Sequence, residues 1–159
     1  MRKALRILVA LGAILIVAAA AGRAMGLFSG KRPDSLGVTG GRLVPCKPSP
    51  NCVSSQADAG DAVHYIAPLA APDPERAFAA LKREVRATPR VTIVTEAPQY
   101  LYAEYRSLVF GFVDDVEFWL DPGAKVIQVR SASRLGRSDL GVNRARVEAL
   151  RARLGATGG

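Results

Sequence analysis

The sequence predicts an α+β fold, a single domain in which an antiparallel sheet of about four to five strands carries two flanking helices, preceded by an N-terminal hydrophobic helix. Three observations predict it. Four strand-like runs follow one another between Val91 and Ser133 with connections too short for parallel crossovers. Two helical periodicities bracket that block, and residues 7–22 form an uncharged apolar run ahead of it.

Residues 1–27 read as a signal peptide or an N-terminal membrane anchor. Arg2, Lys3 and Arg6 precede the run ILVALGAILIVAAAAG, and a small residue stands two positions before each of Ala20, Ala21 and Ala24, the A-x-A-like spacing that signal peptidase requires. A spanning helix needs about 20 apolar residues. Snorkelling of Arg6 and Arg23, together with the apolar residues of Met25 to Phe28, extends the run far enough. Either reading puts the body of the chain outside the cytoplasm, periplasmic or anchored at the inner membrane.

Residues 28–42, rich in Gly, Ser and charge, read as a flexible linker. The domain is expected over 43–155 and a frayed tail over 156–159. Between Leu43 and Gln56 the prolines Pro45, Pro48 and Pro50 withhold ladder donors, which predicts an ordered but irregular loop. His64 to Leu69 reads as a short edge strand. Asp73 as cap, Pro74 at the first helical position and Glu75 in the first turn open a helix expected to run to Ala87, burying Phe78, Leu81 and Val85.

Strands are expected over Val91 to Glu96, Tyr100 to Ser107, Val109 to Leu120 and Lys125 to Ser133. Asp121-Pro122-Gly123 supplies a turn, with glycine taking the angle that proline cannot. In the third strand the alternation breaks at Asp114-Asp115, which predicts a bulge there. Val142 to Leu154 reads as a second helix with Asn143 as cap and Val147, Leu150 and Leu154 buried. Arg144, Arg146, Arg151 and Arg153 then fall on exposed faces.

The formal charge of +8 invites a nucleic-acid reading. Six of the 22 basic residues flank the hydrophobic segment, however, leaving 16 against 14 acidic ones in the rest of the chain. Charge placed beside a hydrophobic run serves membrane insertion, so nucleic acid is not expected as a partner.

The only two cysteines, Cys46 and Cys52, lie in the proline-rich loop of a chain expected to be exported, and a disulfide between them is the first reading. Their spacing, with His64 the only histidine, matches no zinc pattern, so no metal and no cofactor is expected. No nucleophile elbow surrounds Ser54 or Ser55, and His64 reads as a satisfied strand residue. The polar strand residues carry more information. Tyr100, Tyr102, Glu104 and Arg106 share one face, as do Gln128, Arg130, Ala132 and Arg134, with Asp114, Asp115 and Glu117 on the strand between. Two readings stay open: ion pairs across a sheet face, or a ligand site. Arg130, Ser131, Ser133, Arg134, Asp139 and Asn143 gather guanidinium forks and hydroxyls ahead of a helix N-terminus, an arrangement able to take an anion.

The strings CKPSPNCVSSQA, AEYRSLVFGFVDDVEF and VRSASRLGRSDLGVNRARVEALR, in this order, resemble the signature blocks of the family catalogued as domain of unknown function 1499. The resemblance covers Leu43 to Leu154. It implies a likeness to bacterial envelope and plastid proteins with a leading hydrophobic segment, and it brings no catalytic assignment.

The expected function is a non-enzymatic binding or accessory module of the envelope, taking an anionic small molecule, lipid headgroup or protein segment near Glu104, Arg106, Asp114, Asp115, Arg130, Arg134 and Asn143. One alternative is a hydrolase using acids at the Asp114-Asp115 bulge. The other is a purely structural partner of a membrane complex, with the membrane itself a partner if the leader is retained.

Overall fold

The computed structural model describes residues 2–157. Its elements follow in the order α1 (Arg2–Ala24), β1 (Cys52–Ser54), β2 (Leu69–Ala70), α2 (Pro74–Ala87), β3 (Val91–Glu96), β4 (Tyr100–Arg106), β5 (Val113–Asp121), β6 (Val126–Ser133) and α3 (Val142–Thr157). Helix α2 starts and stops where its local signals say. Asp73 accepts from the Arg76 amide, Pro74 occupies the first position, and Thr88, just before Pro89, closes the last turn by donating to the Glu84 carbonyl.

The sheet is antiparallel throughout and ordered β1-β6-β5-β4-β3, with β2 end to end with β1 along the free edge of β6. Helices α2 and α3 cover one face. Phe78, Leu81, Val85, Val147 and Leu150 meet Leu101, Ala103, Val116, Phe118, Leu120, Ile127 and Val129 there, all fully or nearly fully buried. Each such large side chain contributes about 1.5–3 kcal/mol, and this apolar layer holds the α+β domain together.

Several expectations are corrected. No bulge occurs at Asp114-Asp115, because β5 keeps unbroken register with both neighbours; the irregularity lies in β3, between Ile93 and Thr95. The β5 strand begins at Val113, and Leu108, Val109, Phe110 and Phe112 form an exposed loop instead of buried strand. Regular pairing resumes at β1, since Cys52 to Ser54 lie past the last proline and can donate. The edge strand expected from His64 shrinks to the two residues of β2, after a lone parallel bridge at Tyr65. In the β5–β6 turn the left-handed residue is Lys125 (φ 54°), not Gly123, and Asp121 Oδ1 accepts the Ala124 amide.

Helix α3 begins one residue before the expected cap. Asp139, not Asn143, does the capping: its carboxylate accepts the Gly141 and Asn143 amides at 3.0 and 2.7 Å. The helix runs on to Thr157, and of the expected tail Gly158 and Gly159 lie outside the described residues.

Cys46 and Cys52 are joined by a disulfide, with Cα atoms 5.7 Å apart. By shrinking the unfolded ensemble, a loop this short contributes about 2 kcal/mol. The segment read as a linker has only an isolated bridge, Thr39 to Arg42, and lies across the sheet face opposite the helices. Helix α1 stands apart from that core: its mean hydropathy reaches 2.5 and none of its apolar stretch is buried against the domain.

Candidate functional site

Strand alternation divides the polar residues between the two faces of the sheet. Opposite the helices lie Tyr100, Tyr102, Glu104 and Arg106 of β4, Asp115, Glu117 and Trp119 of β5, and Gln128, Arg130 and Ala132 of β6. The register sets Glu104 directly against Asp115 and Glu117 against Arg130. Two facing carboxylates require a cation. Arg134, just past the end of β6, provides it: Nη2 donates to Glu104 Oε1 and to Asp115 Oδ1, both at 2.6 Å, while Nε reaches the Asp115 oxygens at 3.0 and 3.1 Å.

The network closes with partners from elsewhere. Tyr102 donates to Asp115 at 2.6 Å and accepts from Arg134, and Arg32 of the 28–42 segment donates to Glu104 at 2.5 and 2.8 Å. Arg106 approaches the other Glu104 oxygen at 3.3 Å. Glu117, wholly buried, accepts from the Gly37 amide and the Tyr100 hydroxyl at 2.8 Å and from Arg130 Nη1 at 3.2 Å. Arg130 Nε has no partner among the described residues.

Burial alone would raise the Glu104 carboxyl, but hydrogen bonds and charge from Arg134 and Arg32 outweigh it and hold it below its ordinary value. Burial would likewise lower the Arg134 guanidinium, and Asp115 and Glu104 reverse that into a rise. The phenols of Tyr100 and Tyr102 are pushed up, first by burial and then by Glu117 and Asp115 respectively. These groups compensate one another, as buried charge must be compensated.

The second polar cluster sits under α3. Arg146 donates to Asp114 at 2.5 Å, Ser131 at 2.9 Å and Asn143 Oδ1 at 2.5 Å, and lies 4.6 Å over the Tyr105 ring. Ser131 donates to Asn143 at 2.6 Å and Ser133 to Asp114 at 2.6 Å, while the Asn143 amide group donates to Ser133 and to the Asn51 carbonyl. Arg146, expected on an exposed face, is therefore turned inward onto the carboxylate that β5 buries.

The residues singled out from sequence thus do not converge. Glu104, Arg106, Asp115, Arg130 and Arg134 line the polar face; Asp114, Ser131, Ser133 and Asn143 lie on the helix face; Asp139 occupies the α3 N-terminus itself as its own anion. Consecutive residues on an unbulged strand, Asp114 and Asp115 point to opposite faces and cannot share a proton or a metal. Among the described residues no three His, Cys, Asp or Glu side chains are grouped to hold a metal ion. Sequence reasoning missed Arg32, Asn51 and the inward turn of Arg146, none of which carries a local signal.

His64 lies near the disulfide, its Nδ1 2.7 Å from Asp61 and its Nε2 3.2 Å from the Ser49 carbonyl. The hydrogen bond to Asp61 leads in raising its pKa above 6.5. A raised folded pKa means that the stability this group contributes is fully present below about pH 6.5 and is lost as pH rises through the folded value. Thermal melts between pH 5.5 and 8.5 should therefore show the parent losing stability relative to His64→Asn; parallel curves would refute the assignment.

An open cleft of about 790 Å³ lies at the far end of the helix layer. Pro68, Leu69, Ala70 and Pro72 form one wall, Ala77 and Ala80 of α2 the floor, and Leu154 of α3 the other side. Arg151, on this rim, is held by donating to the Pro68 and Ala67 carbonyls at 2.7 and 2.6 Å. Arg76 and Arg83, on the exposed side of α2, line the same rim and their side chains find no polar partner among the described residues. Asp73 is the one acid lining this cleft among the described residues. Its existence depends on how α2, α3 and the 68–72 segment pack, which no local pattern announces.

The family model described as Protein of unknown function (DUF1499) matches residues 42–154. The chain belongs to this family. Among curated proteins and among solved structures nothing matches. The DUF1499 match begins within the bridge at Thr39–Arg42 and ends at Leu154, so it spans the sheet, α2 and the cleft wall while α1 lies outside it.

Proposed function

We propose that this DUF1499 chain is a non-enzymatic envelope module, held on the outer side of a membrane by α1, that takes an anionic amphiphile in the cleft between α2 and α3. The observation that carries this reading is a contrast in partners. The guanidinium groups on the polar sheet face meet carboxylates at close range, whereas Arg76 and Arg83, beside a largely apolar cleft, find no polar partner among the described residues. An acyl chain suits the Pro68, Pro72, Ala77, Ala80 and Leu154 surface, and an acidic headgroup suits the two guanidinium forks. The anionic partner expected from sequence is kept, but its place moves from the strands to the helices.

The test is titration of a fluorescent fatty acid onto the full chain held in zwitterionic nanodiscs, with empty nanodiscs as blank. Saturable binding above the blank is expected. Arg76→Glu with Arg83→Glu should weaken it about tenfold or more, the equivalent of roughly 1.4 kcal/mol. Ala80→Trp, which fills the floor, should remove it. A parent indistinguishable from the blank, or a charge-reversed chain that binds equally well, would sink the reading.

A further inference from the structure

Apart from Val63, the exposed large apolar side chains of the domain are gathered near one end. Leu108, Val109, Phe110 and Phe112 lie between β4 and β5, and Leu135 and Leu140 between β6 and α3, the last 94% exposed. In an antiparallel sheet the end of β4, the start of β5 and the end of β6 share one edge, so both loops sit at the same end of the domain. A contiguous apolar surface of this kind marks a partner, whereas single exposed apolar residues do not.

Helix α1 reaches the domain at that same end. Arg23 donates to the Ser107 carbonyl at 3.2 Å and also to the Leu108 carbonyl. Phe28 packs on Phe110 and Phe112 with ring centroids 5.8 and 5.3 Å apart. Gly22 is buried beneath that ring, where a Cβ would come within 2.7 Å of it. A Cβ at Gly111, already at a positive φ, would stand 3.0 Å from Arg23. The apolar loop is thus continuous with the last turn of a 23-residue apolar helix, which at about 1.5 Å per residue is long enough to cross a bilayer.

We propose that this end of the sheet seats on the bilayer, the 107–112 loop and the Leu135 and Leu140 tip entering the outer leaflet around the exit of α1. The occupant is lipid because the surface is continuous with a helix of membrane length. Exposed Arg137, between Leu135 and Leu140, is placed to meet lipid phosphates. This seating rests on α1 remaining in the membrane. It would hold the domain upright, because β2 and the cleft lie at the opposite end of β6, eight residues and about 25 Å away.

The only tryptophan, Trp119, lies near that distal end, opposite Tyr100, and serves as an internal control. The full chain is reconstituted into vesicles of lipid brominated at shallow acyl positions, as the parent and as Trp119→Phe with Phe110→Trp. Emission from position 110 should be quenched about twofold or more beyond that of Trp119 in the parent, since seated side chains reach the headgroup and acyl boundary. Leu108→Trp, which leaves the phenylalanine trio intact, gives the same readout if the first variant folds poorly. Alkaline carbonate extraction separates the two claims. Retention in the membrane without extra quenching overturns the seating and keeps the anchor; release without quenching overturns both. Quenching at 110 or 108 with retention supports the seating; quenching with release overturns the seating around a retained α1.

Discussion

Arg134→Ala is expected to destabilise the domain by about 3–5 kcal/mol, because it leaves Glu104 and Asp115 buried and facing each other with one shared cation removed. For a domain of this size that corresponds to a fall in Tm of roughly 12–20 °C. Arg32 and Arg106 remain on Glu104, but neither touches Asp115, which keeps only the Tyr102 hydroxyl. The pH response should invert as well. In the parent, Glu104 titrates below its ordinary value of 4.5, so its contribution is present above that pH and is lost as pH falls through the folded value. Without Arg134 the paired acids gain by binding a proton, and the variant should recover part of its deficit on acidification. Adding Asp115→Asn should recover stability at neutral pH. Thermal unfolding of the full chain in mild detergent measures all three, with Arg137→Ala, three residues away and exposed, as a control expected within about 0.5 kcal/mol. A deficit for Arg134→Ala no larger than the control's would show that the network is not what holds this face.

Arg146→Ala should cost about 2–4 kcal/mol, since it strips the cation from Asp114 and leaves Ser131 and Asn143 each short of a donor. The cation over the Tyr105 ring is lost as well. Arg144→Ala, two residues earlier, removes only bonds to the exposed Ala62 and Val63 carbonyls and should stay near 1 kcal/mol or below. Chemical denaturation with unchanged m-values is the appropriate comparison. Equal losses for the two arginines would contradict the inward assignment of Arg146.

The polar strand residues show how far local pattern reaches. Period-two alternation correctly put Tyr102, Glu104 and Arg106 on one face of β4 and Gln128, Arg130 and Ala132 on one face of β6, with Arg134 following just past its end. It failed at Asp114-Asp115, where the apolar run from Val109 to Val113 invited a continuous buried strand and so demanded a bulge. The run is a loop exposed at one end of the domain, and once β5 starts at Val113 the alternation needs no repair. Asn143 departs from its expected capping role for a related reason: a good capping residue and a good buried hydrogen-bonding residue are the same residue type, and Asp139 already caps the helix.

The sequence by itself determined the α+β class, the extent of α2, the presence and order of the four long strands, the apolar N-terminal helix, the disulfide between Cys46 and Cys52, and membership of the DUF1499 family. All of these follow from neighbours close in the chain: caps, turn residues, alternation, cysteine spacing and contiguous motif blocks. Only the tertiary structure decided what the charges do. Arg32 meets Glu104 across 72 residues, Gly37 meets Glu117 across 80, and Arg146 meets Asp114 across 32. Whether a buried carboxylate faces a ligand or a guanidinium depends on which distant segment folds over it, and Coulomb attraction between groups so far apart in sequence leaves no trace in local pattern.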